Sequence, residues 1–119
     1  MATPLPQLVL LYVVGRLGRA SIVDVATVMY YLKREGVATG YNFVKLSGVA
    51  ISKDIQLDLN LLKVLGLIRE EDGGVYSVTE KGKVVIQKMV RDPSYRSLIK
   101  TVEHVLSNVG RAKKVQGQS

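Results

Sequence analysis

Cysteine is missing from this chain of 119 residues, and His104 is its one histidine. Without thiols there are no disulfides, thiolate zinc sites or cysteine nucleophiles. A lone histidine cannot assemble a histidine-rich metal site, so neither a metal nor a cofactor is expected. Long apolar runs are also lacking. The longest near the start, residues 8–14, is too short to span a bilayer. It is not preceded by a basic segment or followed by a small-residue cleavage site, so no signal peptide is expected and the protein is expected in the cytoplasm. No nucleophile, base and orienting group occur in a recognisable set, and Gly73-Gly74 does not precede a helix as a phosphate-binding loop would. The chain is therefore expected not to be an enzyme.

What is present is the composition of one globular domain: 13.1 kDa, with 47% hydrophobic residues, well above the disordered range. The net charge of +7 is unevenly placed. Residues 81–119 carry nine Lys/Arg against Asp92 and Glu103, which accounts for all of it. Residues 51–80 carry Lys53, Lys63 and Arg69 against six carboxylates, a net of −3. A basic chain suits a polyanionic partner, but the charge does not sit where the motif described next would use it.

The spacing of apolar residues predicts a helix over about 5–17, with Pro4 and Pro6 at its start and Gly18 at its end. Ser21 and Asp24 form a capping-box pattern opening a second helix, about 22–35, closed by Gly36. Tyr41 to Leu46 reads as a short strand or extended loop broken at Gly48. Ser52 then caps a third helix ending near Leu65, and Gly66 stops it. Two β-prone runs, 67–70 and 75–78, flank Glu71-Asp72-Gly73-Gly74 as a hairpin. Thr79 caps a fourth helix to about Val90, and Asp92-Pro93 opens a fifth that reaches Val109. A compact head, about 5–90, thus carries an added helix, about 93–109, and a flexible basic tail, 110–119.

Helix, hairpin and helix start in that order predict a mostly α fold with a small β-hairpin wing, a winged helix-turn-helix with added N- and C-terminal helices. In such folds the third helix usually lies in the DNA major groove. Here Ile55, Leu59 and Leu62 share its inner face, and Lys53, Gln56, Asn60 and Lys63 form one polar stripe opposite. Asn and Gln can bond adenine edges, and Lys can reach guanine or phosphate. Any amphipathic helix also has a solvated side of this composition, so the stripe has both a base-reading and an ordinary explanation. Ser52 at the helix start is a candidate for phosphate, as are Lys81, Lys83 and Lys88 beyond the hairpin. The tip, Glu70-Glu71-Asp72, opposes contact with phosphate and suits either a purely structural wing or a basic protein partner.

The run Val75-Tyr76-Ser77-Val78-Thr79-Glu80-Lys81-Gly82 resembles the second wing strand and following turn of winged-helix regulators of the MarR and PadR kind, with Val78 in place of their usual Leu. Tyr41-Asn42-Phe43 to Ser52, Asp58-Leu59, Leu62 and Gly66-Leu67-Ile68 also resemble archaeal winged-helix proteins. The similarity covers about 20–90. It implies a homodimeric, double-stranded-DNA-binding transcriptional regulator; a winged-helix adaptor for proteins is the alternative. In the fifth helix Tyr95, Leu98, Ile99, Val102, Val105, Leu106 and Val109 make an apolar stripe. It is expected to pair with a second copy, the other arrangement being that it folds over its own head. Tyr12, Tyr30 and Tyr31 are expected to be core and interface aromatics rather than a ligand pocket.

Overall fold

The computed structural model describes residues 5–117, with side-chain surroundings described as far as Val109. Its fold is mostly helical with small antiparallel sheets. Helix α1 (Leu5–Leu17) lies at the centre. Every residue from Leu8 to Val14 is buried, so this stretch of the helix is covered on all sides. Helix α1 packs against α2 (Ile22–Arg34), α3 (Lys53–Val64), α4 (Glu80–Arg91) and strand β5 (Val75–Val78).

Local chemistry sets each boundary. Ser21 accepts from the Asp24 N–H at 3.1 Å, and Asp24 accepts from the Ser21 N–H at 3.3 Å, completing the expected capping box. The extended backbone that an N-cap requires also lets Ala20–Ser21 form a two-residue strand, β1, opposite β5. That strand is too short for sequence periodicity to reveal. β5 pairs on its other side with β4 (Ile68–Glu71), giving a sheet in the order β1-β5-β4. The turn between β4 and β5 uses Gly73 and Gly74 at φ 86° and 72°, a region closed to most side chains.

Residues 35–52 depart from the expectation of one extended segment. Strands β2 (Val44–Leu46) and β3 (Val49–Ile51) form a separate hairpin with Val44 opposite Ile51 and Leu46 opposite Val49. Ser47 and Gly48 both have positive φ, 52° and 79°, as a two-residue type I′ turn requires. Gly48 therefore turns the chain back on itself rather than ending the strand. Tyr30 and Phe43 meet edge-on at 5.6 Å, and Lys45 Nζ lies 4.5 Å from the Tyr30 ring centroid, seating the hairpin on α2.

Asp92 accepts from the Ser94 N–H at 3.0 Å, and a 3-10 turn (Pro93–Tyr95) leads into α5 (Arg96–Gly117). Here the expected second-copy interface is corrected. Val102 and Val105 are buried within their own chain, and Tyr95, Leu98, Ile99, Leu106 and Val109 pack on the same core. The stripe covers α2 of its own head, because the short 3-10 turn after α4 folds α5 back on it. The helix also continues to Gly117 where a flexible tail is expected from 110, since residues 111–116 include no strong helix breaker. Among the described residues no helix is long and apolar enough to cross a membrane.

Candidate nucleic-acid interface

Helix α3 is held at both ends. At its start the Ser52 hydroxyl accepts from the Ile55 N–H at 3.3 Å, and the whole residue is buried. Ser52 is therefore a cap inside the fold, which removes its side chain from the expected set of phosphate contacts. Asp54 and Asp58 face the preceding loop. Asp54 accepts from the Asn42 N–H at 2.8 Å, and Asp58 accepts from the Tyr41 hydroxyl at 2.6 Å. Burial, then the Asp58 carboxylate, pushes the Tyr41 phenol well above its ordinary range, so Tyr41 stays a donor. The two carboxylates nearest the polar stripe are thus committed to structure.

At the far end three successive carbonyls of the α3 exit receive donors from the start of α4. Lys81 Nζ donates to Leu65 O at 3.0 Å, the Thr79 hydroxyl to Gly66 O at 2.6 Å and the Thr79 N–H to Leu67 O at 3.1 Å. Thr79 also accepts from the Gly82 N–H at 3.1 Å as the α4 cap. The Thr79-Glu80-Lys81-Gly82 run thereby closes a helix end that would otherwise carry bare carbonyls. Lys81 belongs to this latch, so it is corrected from phosphate contact to helix cap. Lys83 is paired with Glu80 at 3.0 Å. Lys88 is exposed on α4, which packs on α1 and β5, whereas α3 packs on α1 and β4.

Between these anchors Ile55, Leu59 and Leu62 are fully buried, as the 100° advance predicts. On the outer side Lys53, Gln56 and Asn60 are exposed and make no side-chain hydrogen bond or ion pair among the described residues. Lys63, the fourth member of the stripe, is drawn aside: its Nζ lies 2.8 Å from Glu70 Oε1. That hydrogen bond raises the Lys63 pKa. Sequence periodicity also leaves unmarked how much apolar surface flanks the stripe. Leu57 is 67% and Val64 84% exposed, and Leu61 and Leu65 are exposed too.

The β4–β5 hairpin is less acidic than its sequence. Arg69 is its only internal cation, but folding brings Lys63 to Glu70 and Arg19, from the α1–β1 turn, to Glu71 at 3.1 Å. Three carboxylates, Glu70, Glu71 and Asp72, are matched locally by three cations, a compensation visible only in three dimensions.

Away from α3, Arg16 of α1 grips Glu103 of α5 with Nε and Nη2 each 2.8 Å from a carboxylate oxygen, and the Tyr12 hydroxyl donates to the same group at 3.2 Å. Arg16 holds the Glu103 carboxyl below its usual range, while burial and that carboxylate raise the Tyr12 phenol. Tyr12 is a core residue facing α5, whereas Tyr30 and Tyr31 meet edge-on at 5.5 Å beside the β2–β3 hairpin. Tyr12 and the Tyr30–Tyr31 pair thus face different elements. No family model, curated protein or solved structure was found to match this chain.

Proposed function

We propose that the chain is a winged-helix protein that binds double-stranded DNA through α3, in the manner of a transcriptional regulator. The observation that carries this reading is the unpartnered trio Lys53, Gln56 and Asn60, displayed on the outer face of the helix that precedes the β4–β5 hairpin. The element order and the β1-β5-β4 sheet support treating β4–β5 as the wing. Lys53 supplies a charge for phosphate or guanine, and Gln56 and Asn60 supply paired donors and acceptors for adenine edges. Exposed Leu57 offers a methyl-sized contact for thymine. The matched charges of the wing lower its repulsion from phosphate, and Lys63 becomes available to DNA only when its bond to Glu70 opens.

The test is selection from a random duplex pool, followed by titration of variants on the enriched site. Asn60→Ala is expected to weaken binding by about 1–3 kcal/mol and relax preference at one position. Failure of the parent protein to enrich any sequence overturns the reading. A protein-binding adaptor is the second reading. It is favoured by the exposed apolar residues Leu57, Leu61 and Val64 on α3. Loss of a protein partner on Leu57→Lys, with no DNA enriched by the parent, would establish it instead.

A further inference from the structure

Residues 81–119 carry the whole net charge of the chain, yet α3 lies outside them. Part of that charge is used inside the fold, where Lys81 closes the α3 exit and Lys83 pairs with Glu80. Lys88, Arg91, Arg96 and Lys100 differ. All four are exposed and make no hydrogen bond or ion pair among the described residues. They sit where α4 passes into α5. Lys88 and Arg91 occupy the last turn of α4, Arg96 opens α5, and Lys100 follows one turn on. Arg91 and Arg96 bracket a turn closed by the Tyr95 N–H, which donates to Asp92 O at 3.1 Å, so the two pairs meet at one corner. The nearby carboxylates are engaged elsewhere: Glu80 holds Lys83, Glu103 holds Arg16, and Asp92 accepts from the Ser94 N–H and hydroxyl. Helix chemistry accounts for half of the cluster. Lys88 and Arg91 complement the C-terminal dipole of α4, but α5 has no acidic residue in its first turn and begins with Arg96, a charge that a helix start disfavours.

We propose that this α4–α5 corner is a contact surface for the phosphate backbone of nucleic acid, separate from α3 and indifferent to base sequence. A partner that matches four unpaired cations is anionic, and the rest of α5 decides which kind. The 100° advance sets Arg96, Lys100, His104 and Ser107 along one outer stripe, opposite the buried Val102 and Val105. A helix that lies on an anionic bilayer needs an exposed apolar face to bury among the lipids. That face of α5 is packed on its own head, and the outer stripe is polar throughout. An acidic protein would lack an anchor for the same reason, since protein interfaces centre on buried aromatic and other large side chains. The nearby exposed valines, Val84 and Val90 of α4, are scattered single residues of the kind any surface carries. A phosphate backbone asks only for cations at intervals. The helical rise sets Arg96 and Lys100 about 6 Å apart along the axis. Their contact with phosphate gains from the counterions it releases. The corner does not extend the α3 face: α4 packs on α1 and β5 and α5 on α2, whereas α3 packs on α1 and β4. This contact therefore does not depend on base reading by α3.

Fluorescence anisotropy of the full chain with a labelled mixed-sequence duplex, titrated at several salt concentrations, tests it. The parent is expected to bind with an affinity that falls steeply as salt rises. Arg91→Gln, Arg96→Gln and Lys100→Gln are each expected to reduce the slope of log affinity against log salt by about one. Arg96→Gln combined with Lys100→Gln is expected to weaken binding roughly tenfold or more at low salt. These positions are exposed and unpaired, so the variants are expected to stay folded, with thermal midpoints close to that of the parent. Lys83→Gln removes the same charge from a residue already tied to Glu80 and is expected to leave the slope unchanged. A parent that binds no duplex at low salt, folded corner variants that respond to salt as the parent does, or a Lys83→Gln slope that falls equally would each overturn the proposal. So would retention on phosphatidylserine vesicles with no duplex bound. Asn60→Ala is expected to bind the mixed-sequence duplex as the parent does. A chain that enriches no sequence yet keeps the corner-dependent slope counts against the α3 reading alone.

Discussion

At the scale of single residues, several side chains with apparent functional promise are spent on holding the fold. Ser52, Asp54, Asp58 and Lys81 each complete a backbone or side-chain hydrogen bond, so the outer face of α3 is left to Lys53, Gln56 and Asn60. Glu103 offers a direct measurement. Its folded pKa lies below the unfolded value because Arg16 binds the charged form. A carboxylate depressed in this way stabilises the fold above its unfolded pKa, about 4.3, and that contribution is lost as pH falls through the folded value. The pair is partly exposed, so its contribution is of the order of 1 kcal/mol or less. Glu103→Gln is expected to lower the thermal midpoint near neutral pH, with the gap closing in acid. Melting curves of parent and variant that stay equally separated across that range would show that the charge of Glu103 is not the cause.

Among the elements, the latch between α3 and α4 makes the strictest demand on the sequence. A Cβ on Gly82 would meet the Leu67 carbonyl oxygen and also lie 2.6 Å from Val78. Gly82→Ala is expected to cost about 1–3 kcal/mol by overpacking, read as a lower denaturant midpoint. A neutral result would mean that α4 can shift away from the α3 exit. Gly82 closes the Thr79-Glu80-Lys81-Gly82 run, and its lack of a side chain has a packing reason. The principal helices and the β4–β5 hairpin were legible from caps, glycines and three-and-four spacing, all of which act within a few residues. β1 was not, because two residues have no periodicity, and neither was the β2–β3 hairpin, whose turn places Ser47 rather than the usual Asn before Gly48. At the candidate site the stripe on α3 could be read, but the diversion of Lys63 to Glu70 and the neutralisation of Glu71 by Arg19 depend on residues that only folding brings together. The apolar stripe of α5 was legible as a face, but it was expected against a second copy and packs on its own head instead. Periodicity gives a face but not what covers it.

For the whole molecule, α5 is part of the head rather than an appendage. A chain ended at Asp92 would uncover the surface against which Val102 and Val105 are buried and would lose the Arg16–Glu103 pair. It is expected to melt at a lower temperature and to bind a hydrophobic dye. A truncated chain as stable as the parent would instead make α5 dispensable to the fold. The position of α1 has a further consequence, for biosynthesis. Its seven consecutive buried residues, Leu8 to Val14, emerge from the ribosome before every element that shields them. The Glu103 clasp over Tyr12 and Arg16 is translated some ninety positions later. Translation at roughly 5–20 residues per second leaves that apolar segment without its full cover for several seconds, an interval in which a nascent-chain chaperone can hold it.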